Sequence, residues 1–148
     1  MRAQVRSDLQ NYPGALQDFD RSIQLNPMDP SAFRQRAWTR WETKDLQGAI
    51  DDFTAAISRT EPSERAAIIC ARGNVEVSVH DYTSAMRDYA GSLSANPEFS
   101  LAYKYRAKLK NRLGDNTGAV VDYLTYICFE RKRDLEQWIQ RSRDMLFD

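Results

Sequence analysis

Residues 36–53, RAWTRWETKDLQGAIDDF, contain the pattern that decides the fold. An Arg is followed by a small residue, then 13 positions later by an Ala, and three positions further on by an Asp and an aromatic ring. The four copies are Arg2-Ala3/Ala15/Asp18-Phe19, Arg36-Ala37/Ala49/Asp52-Phe53, Arg72-Gly73/Ala85/Asp88-Tyr89 and Arg106-Ala107/Ala119/Asp122-Tyr123. The alanines are 34, 36 and 34 residues apart, which predicts a tandem array of one supersecondary unit rather than a domain with a single core.

Each unit contains two segments with helical periodicity. In the second unit, apolar residues from Ala49 to Ile57 recur at i, i+3 and i+4, and strand alternation is absent. A short polar turn, Thr43-Lys44-Asp45, separates this segment from the one before it, so the two helices should pack antiparallel. Pro27, Pro62 and Pro97 end the units because proline cannot continue a helix.

These columns resemble the tetratricopeptide repeat, which combines a small residue in its first helix, Ala and an aromatic ring in its second, and a closing proline. The resemblance implies an all-α fold: a right-handed superhelical solenoid of antiparallel helix-turn-helix hairpins with a concave groove. We expect one domain over residues 1–148, with repeats at about 1–29, 30–63, 64–99 and 100–133 and a capping helix over 134–148. Where the family usually has Leu before the small residue, this chain has Arg.

The Arg and Asp columns recur together, which calls for a joint explanation. Measured from the turn of each hairpin, Arg lies nine residues back and Asp seven residues forward, an axial offset of only about 3 Å. We predict a structural ion pair in each hairpin or between neighbouring hairpins. The alternative is two separate solvated columns, which would contribute little to stability.

The two ends depart from the pattern. Arg131 occupies the place of a closing proline, and Asp134 followed by Gln137 is typical of a helix N-cap. The predicted capping helix would cover the apolar edge of the fourth hairpin with Leu135, Trp138, Ile139, Met145 and Leu146. Binding to a membrane surface or a partner is the alternative role for this helix. At the other end, Met1 lies one residue before the first Arg, which leaves open an upstream continuation of the array in a longer protein.

Candidate binding residues lie on the first helix of each hairpin, about 100° from its packing face. With Phe33, Ile69 and Tyr103 pointing inward, this rule selects Arg34, Trp38 and Trp41, then Cys70, Asn74 and Val77, then Lys104, Lys108 and Asn111, with Arg112 extending the basic end. A Trp beside an Arg suits a peptide-binding site, and the basic end favours an acidic segment or a C-terminal carboxylate. Alternatively, the two tryptophans fill the junction between helices and the lysines are solvated.

Some members of the family bind acidic chaperone tails through a clamp of Lys, Asn and Arg side chains. The corresponding positions here hold Arg34, Trp38, Ala71, Leu101 and Tyr105. Only Arg34 has suitable chemistry, so we do not expect binding of a chaperone tail.

Composition excludes several other functions. The 21 basic and 21 acidic residues balance, so we expect neither nucleic acid nor a membrane as a partner. Cys70 and Cys128 lack metal-site spacing and agree with a reducing compartment, and we expect a soluble, cytoplasmic protein. His80 is the single histidine, no nucleophile has a spacing that would bring it near, and no phosphate-binding loop is present. We therefore expect no enzyme, no catalytic or metal site and no cofactor.

Two functions remain. The first is a protein–protein interaction scaffold that holds a partner peptide or helix in the concave groove. The second is a structural element that self-assembles, or belongs to a longer array, through its exposed terminal hairpins, so a homo-oligomer is one expectation.

Overall fold

The computed structural model describes residues 11–147, without the side chains of Trp138 and residues 141–147, and places seven α-helices and no strand in that range. They are α1 (Tyr12–Leu25), α2 (Pro30–Glu42), α3 (Leu46–Arg59), α4 (Ala66–Ser78), α5 (Tyr82–Ala95), α6 (Ser100–Arg112) and α7 (Asn116–Phe147), with a short 3-10 helix at Pro62–Glu64 before α4. The predicted all-α class is confirmed. Arg2, Ala3 and the rest of the first helix of the first hairpin lie outside the described residues.

The second helix of every hairpin begins at an acidic or amide N-cap. The side chains of Asn11, Asp45, Asp81 and Asp115 each accept a hydrogen bond from the backbone N–H three residues later, at 2.9–3.3 Å. In the three turns between paired helices, the residue before the cap has a left-handed backbone: Lys44, His80 and Gly114. These tight turns direct consecutive helices back along each other.

The helices stack in chain order. Each packs mainly on its predecessor and its successor, and α4 also contacts α6. The close approach within hairpins depends on the small and Ala columns, since Ala15, Ala37, Ala49, Ala85 and Ala107 are completely buried. A Cβ at Gly73 would lie 3.0 Å from the ring of Tyr89, so even Ala would crowd this crossing. The core is therefore a series of local clusters rather than one shared interior.

A buried carboxylate clamped by an arginine joins the two helices of each described hairpin. Asp52, Asp88 and Asp122 are at most 5% exposed, and each accepts two hydrogen bonds from the guanidinium sixteen residues earlier, at 2.6–2.8 Å. The predicted Arg–Asp pairing is thus confirmed for Arg36, Arg72 and Arg106, and the guanidinium hydrogen bond raises the pKa of all three. Because these pairs are two-pronged and buried, removing one partner would cost more stability than breaking a solvated pair.

The third hairpin lacks part of this network. In the second and fourth hairpins, Arg40 and Lys110 place another cation 2.9 Å from the clamped aspartate. The third hairpin has Glu76 at that position, and its Oε2 is buried without a hydrogen-bond partner. Burial and the negative charge of Asp88 raise the pKa of Glu76 to about 7, although Arg72 and its positive charge oppose the shift.

The last helix differs from the prediction. A separate capping helix starting at Asp134 is wrong, because α7 is one helix of 32 residues in which Asp134 is internal. After Gly118 the segment has neither Pro nor Gly to stop it, and Arg131 takes the place where a proline would end the unit. The continuous helix is also braced by an ion pair between Arg133 and Glu130.

Since α7 does not turn back, the apolar surface of the fourth hairpin stays open in the described residues. Val120, Leu124 and Ile127 are exposed on α7, and so are Leu135 and Ile139, which were expected to cover them. The side chains of Trp138, Met145 and Leu146 lie outside the described residues. The covering role predicted for Leu135 and Ile139 is therefore wrong.

The Glu76 carboxyl predicts that the fold loses stability as the pH rises. Because its folded-state pKa lies above the ordinary value of 4.5, folding favours the protonated form, and this contribution is lost between about pH 4.5 and about pH 7. Glu76→Gln removes the titration and keeps the shape. At about pH 8 it should raise the free energy of unfolding by about 1–3 kcal/mol, with little change at about pH 5.

Urea unfolding followed by circular dichroism at both pH values measures this effect. Glu42→Gln, which neutralises an exposed glutamate, is the control and should change little at either pH. An equal gain from Glu76→Gln at both pH values would contradict the burial-driven pKa.

Candidate functional site

The principal candidate site is a cavity of about 300 Å³ between the first helices of the second, third and fourth hairpins, with α5 contributing one side chain. Its lining is Trp41 from α2, Asn74 and Val77 from α4, Tyr89 from α5, and Tyr105, Lys108, Leu109 and Arg112 from α6. Most of these side chains present apolar surface, and the polar groups are few. This combination is typical of small ligand pockets and of pockets for one anchoring side chain.

Helical spacing brings the lining residues onto one surface. Tyr105, Lys108, Leu109 and Arg112 follow the spacing i, i+3, i+4 and i+7, which places them along one face of α6. Asn74 and Val77 are three residues apart on α4. The site therefore depends on how three adjacent first helices are stacked, not on a single loop.

One polar group in the cavity wall is fixed in place. The hydroxyl of Tyr89 donates a 2.8 Å hydrogen bond to Oδ1 of Asn74. Tyr89 is 1% exposed, and burial raises the pKa of its phenol, so the hydroxyl stays a neutral donor. With its carbonyl oxygen engaged, the Asn74 amide keeps its NH₂ group as a donor.

Two cations lie at the α6 side of the cavity. Lys108 and Arg112 are exposed, and each lies against an aromatic ring: Lys108 Nζ is 5.8 Å from the Tyr105 centroid, and the Arg112 guanidinium carbon is 5.0 Å from that of Tyr82. These cation–π contacts restrain long side chains that would otherwise move freely. The cavity thus has an apolar interior beside a positively charged border.

The two tryptophans of α2 differ in their surroundings. Trp41 is half-buried, packs against the core cluster formed by the second hairpin and α4, and lines the cavity. Trp38 is 41% exposed; its ring lies 5.1 Å from that of Trp41 and meets Phe53 edge-on at 5.6 Å. Trp41 therefore combines a packing role with the cavity wall, whereas Trp38 presents apolar surface beside it.

The structure gathers five of the predicted residues at this cavity and separates the others. Trp41, Asn74, Val77, Lys108 and Arg112 line it. Arg34 lies at a different, smaller cavity with Glu64 and Thr60, and Lys104 lies 5.3 Å from the ring of Tyr126. Asn111 is exposed outside the lining.

Cys70, selected by the same rule, is in fact 2% exposed within the core cluster shared by the third and fourth hairpins. Burial raises the pKa of its thiol to about 12. Its placement on the groove is therefore wrong, because α4 is buried on more than one face.

Three lining residues were not predicted as part of the site. Tyr105 and Leu109 belong to the face of α6 that also carries Lys108 and Arg112. This face is rotated by one residue from the face that was inferred by taking Tyr103 as inward. The i, i+3, i+4, i+7 spacing of Tyr105, Lys108, Leu109 and Arg112 was the sequence feature that could have identified this face. Tyr89 was expected only as a packing ring of the second helix, and nothing in the sequence links its hydroxyl to Asn74.

Other chemistry finds little support in residues 11–147. There is no group of three or more His, Cys, Asp or Glu side chains that could hold a metal ion in this range. His80 lies in its turn with Nδ1 2.9 Å from the hydroxyl of Tyr82. Within the same range, no helix combines the length and the apolarity that crossing a bilayer requires.

Helix pairs stacked in series, each contacting mainly its neighbours, define the chain as a helical-repeat solenoid. Residues 1–64 match the family model described as tetratricopeptide repeat. The chain is 32% identical over 99 residues to human tetratricopeptide repeat protein 13, a match that covers 67% of this chain and 11% of that protein. The chain belongs to the tetratricopeptide repeat proteins.

Solved structures agree on the fold. A crystal structure of MamA superposes with a TM-score of 0.81 at 20% identity, covering 89% of this chain and 76% of that one. A tetratricopeptide repeat protein from Parabacteroides merdae gives a TM-score of 0.75 at 20% identity, with 84% and 49% covered. The predicted superhelical solenoid is confirmed. Proteins of this family are typically non-catalytic and bind protein partners, which supports a general role as an interaction or assembly scaffold.

The different surroundings of the two tryptophans predict different costs of removal. Trp41→Ala should lower the free energy of unfolding by about 2–4 kcal/mol, because it opens a hole beside the core cluster. Trp38→Ala should cost only about 1 kcal/mol, since much of its ring already contacts solvent. Urea unfolding of both variants measures the difference. Equal costs would show that the two side chains are packed alike.

Proposed function

We propose that this chain is a protein-interaction module that holds a partner peptide in the groove along α2, α4 and α6. The observation that carries the proposal is the apolar cavity bordered by Lys108 and Arg112. A peptide with a large apolar side chain next to an acidic group matches both features at once. The acidic group is either an Asp or Glu side chain or a C-terminal carboxylate.

The energetics assign separate roles to the two features. Burying one large apolar side chain in the cavity would contribute about 1.5–3 kcal/mol, which makes it the main apolar contact of the peptide. The exposed cations would add less to affinity, but they would favour acidic sequences and speed association. Asn74 supplies a donor held at a fixed position, suited to a peptide carbonyl.

Trp38 extends the same surface. Its exposed ring beside Trp41 gives a partner further apolar contact next to the cavity. Arg34 lies at its own cavity and is not part of this proposed site. The expected cytoplasmic location stays a prediction.

Selection from a random peptide library displayed on phage, with the intact chain as bait, tests the proposal. Enriched peptides should share a bulky apolar residue adjacent to Asp, Glu or a free C-terminus. Synthetic versions of one enriched peptide, with the carboxylate free or amidated, then distinguish a terminal carboxylate from an acidic side chain. A set of enriched peptides with neither feature would contradict the proposal.

Variants locate the binding surface. Lys108→Glu should weaken a selected peptide about tenfold or more, since it replaces attraction with repulsion at the cavity border. Trp38→Ala should weaken it to a smaller extent. The matched control is Arg87→Glu, the same charge reversal at an exposed position on α5 away from the cavity lining. Fluorescence anisotropy measures the affinities, and equal binding by Lys108→Glu and wild type would show that the groove is not the site.

A further inference from the structure

Helix α7 carries an apolar seam that the earlier hairpins lack. Val121 and Leu124 are each 58% exposed, and Cys128 is exposed as well. The equivalent exposed positions in the second and third hairpins hold Asp51 and Arg87, Thr54 and Ala90, and Ser58 and Ser94. The outward surface of the stack thus changes from polar residues and alanine to apolar residues only in the fourth hairpin.

The seam overlaps only in part the edge where a further repeat would stack. Thr54, the equivalent of Leu124, accepts a hydrogen bond from Arg72 of the next hairpin, so Leu124 belongs to both surfaces. Between the second and third hairpins, Ile50 and Ile57 pack against the core cluster that includes residues of α4. Their equivalents on α7 are Val120 and Ile127, which lie on a neighbouring face of the helix. Stacking of another repeat therefore leaves Val121 and Cys128 without an explanation.

The seam has the period of helices that pair with other helices. Steps of three, four and seven residues join Val121, Leu124, Cys128 and Leu135, which is the heptad spacing of a coiled-coil interface. Arg131 occupies the remaining position of this register. A polar residue at one such position lowers stability but restricts register and orientation, and its aliphatic stem can lie along the seam.

The seam also extends past the body of the protein. The second helices α1, α3 and α5 end at Leu25, Arg59 and Ala95, positions that all correspond to Phe129, whereas α7 continues to Phe147. Beyond that point, Lys132 forms an ion pair with Glu98 on one side of α7, and Leu135 remains 57% exposed on another. A projecting helix with an uncovered apolar seam gains most of its stability from a partner helix.

We propose that α7 is a dimerisation element, in which the seam of Val121, Leu124, Cys128 and Leu135 packs antiparallel against the same seam of a second copy. In the register that places Leu124 of each copy opposite Leu135 of the other, Cys128 lies opposite Arg131, and the projecting half of each helix covers the supported half of its partner. The paired layers span about 17 Å from Leu124 to Leu135. Zero formal net charge removes overall repulsion between the copies.

Sedimentation equilibrium of the intact chain over a range of micromolar concentrations tests the proposal. Wild type should show a reversible monomer–dimer equilibrium, and Leu124→Lys or Leu135→Lys should weaken it at least about tenfold. The matched control is Ala90→Lys, the same new charge at the equivalent exposed position of the third hairpin, which should leave the equilibrium unchanged. Circular dichroism confirms that each variant is folded.

Disulfide trapping tests the orientation. On a Cys128→Ser background, a mixture of Leu124→Cys and Leu135→Cys chains should form the mixed disulfide on oxidation in preference to either like pair. Buried Cys70 should not compete. A wild-type chain that is monomeric throughout, a dimer that survives Leu124→Lys, or preferential Leu124→Cys homodimers would each overturn the proposal.

The seam and the groove are separate surfaces, so their tests fail independently. Leu124→Lys should bind a groove-selected peptide as wild type does. Lys108→Glu should dimerise as wild type does.

Discussion

The buried Arg–Asp clamp is the constraint on which the rest of the structure depends. It joins the two helices of a hairpin at one level through a two-pronged pair, and any shift of one helix along the other would break it. The Ala and Gly residues around it let the two helices approach closely, and larger side chains would not fit there. Because the clamp recurs in each described hairpin, the hairpins are alike in geometry, and the stack inherits a regular groove. The carboxylate is too buried to be left unpaired, so loss of the arginine would leave an uncompensated charge inside the hairpin.

Regular stacking also explains where binding chemistry can arise. No single hairpin contains the cavity; Trp41, Asn74 and Lys108 come from three successive first helices. An exposed side chain such as Lys108 can vary as long as the clamp and the alanines behind it stay the same, whereas Trp41 also packs against the core. The third hairpin shows how far this tolerance extends, since Glu76 replaces a cation of the clamp network and the hairpin still forms with the same Arg72–Asp88 pair.

Features that repeat along the sequence could be predicted from it. Features that depend on the exact rotation of one helix, or on the absence of a residue that ends a helix, could not. The column Ala15, Ala49, Ala85, Ala119 determines both the hairpin and its stacking, and the joint recurrence of Arg and Asp indicated their contact. The groove was predicted less well: taking Tyr103 as inward selected Lys104, whereas the cavity face of α6 carries Tyr105 and Leu109. A rotation of one residue is enough for this error. At Asp134, a local N-cap pattern favoured a new helix, but with no Pro or Gly nearby the existing helix continued through it.

The groove and the seam would recognise different properties of a partner. The groove combines an apolar cavity with a charged border and a fixed amide. As the proposed peptide site, it would discriminate between peptides by the few groups that a peptide must match. The seam of α7 has apolar side chains at heptad spacing and little polar detail besides Arg131, so it selects for a helix of the same period rather than for a particular sequence. In the proposed dimer a second copy supplies that helix, and this arrangement would bring two grooves into one particle. Two linked grooves bind a partner carrying two suitable segments more tightly than either groove alone, without any new contact in the groove.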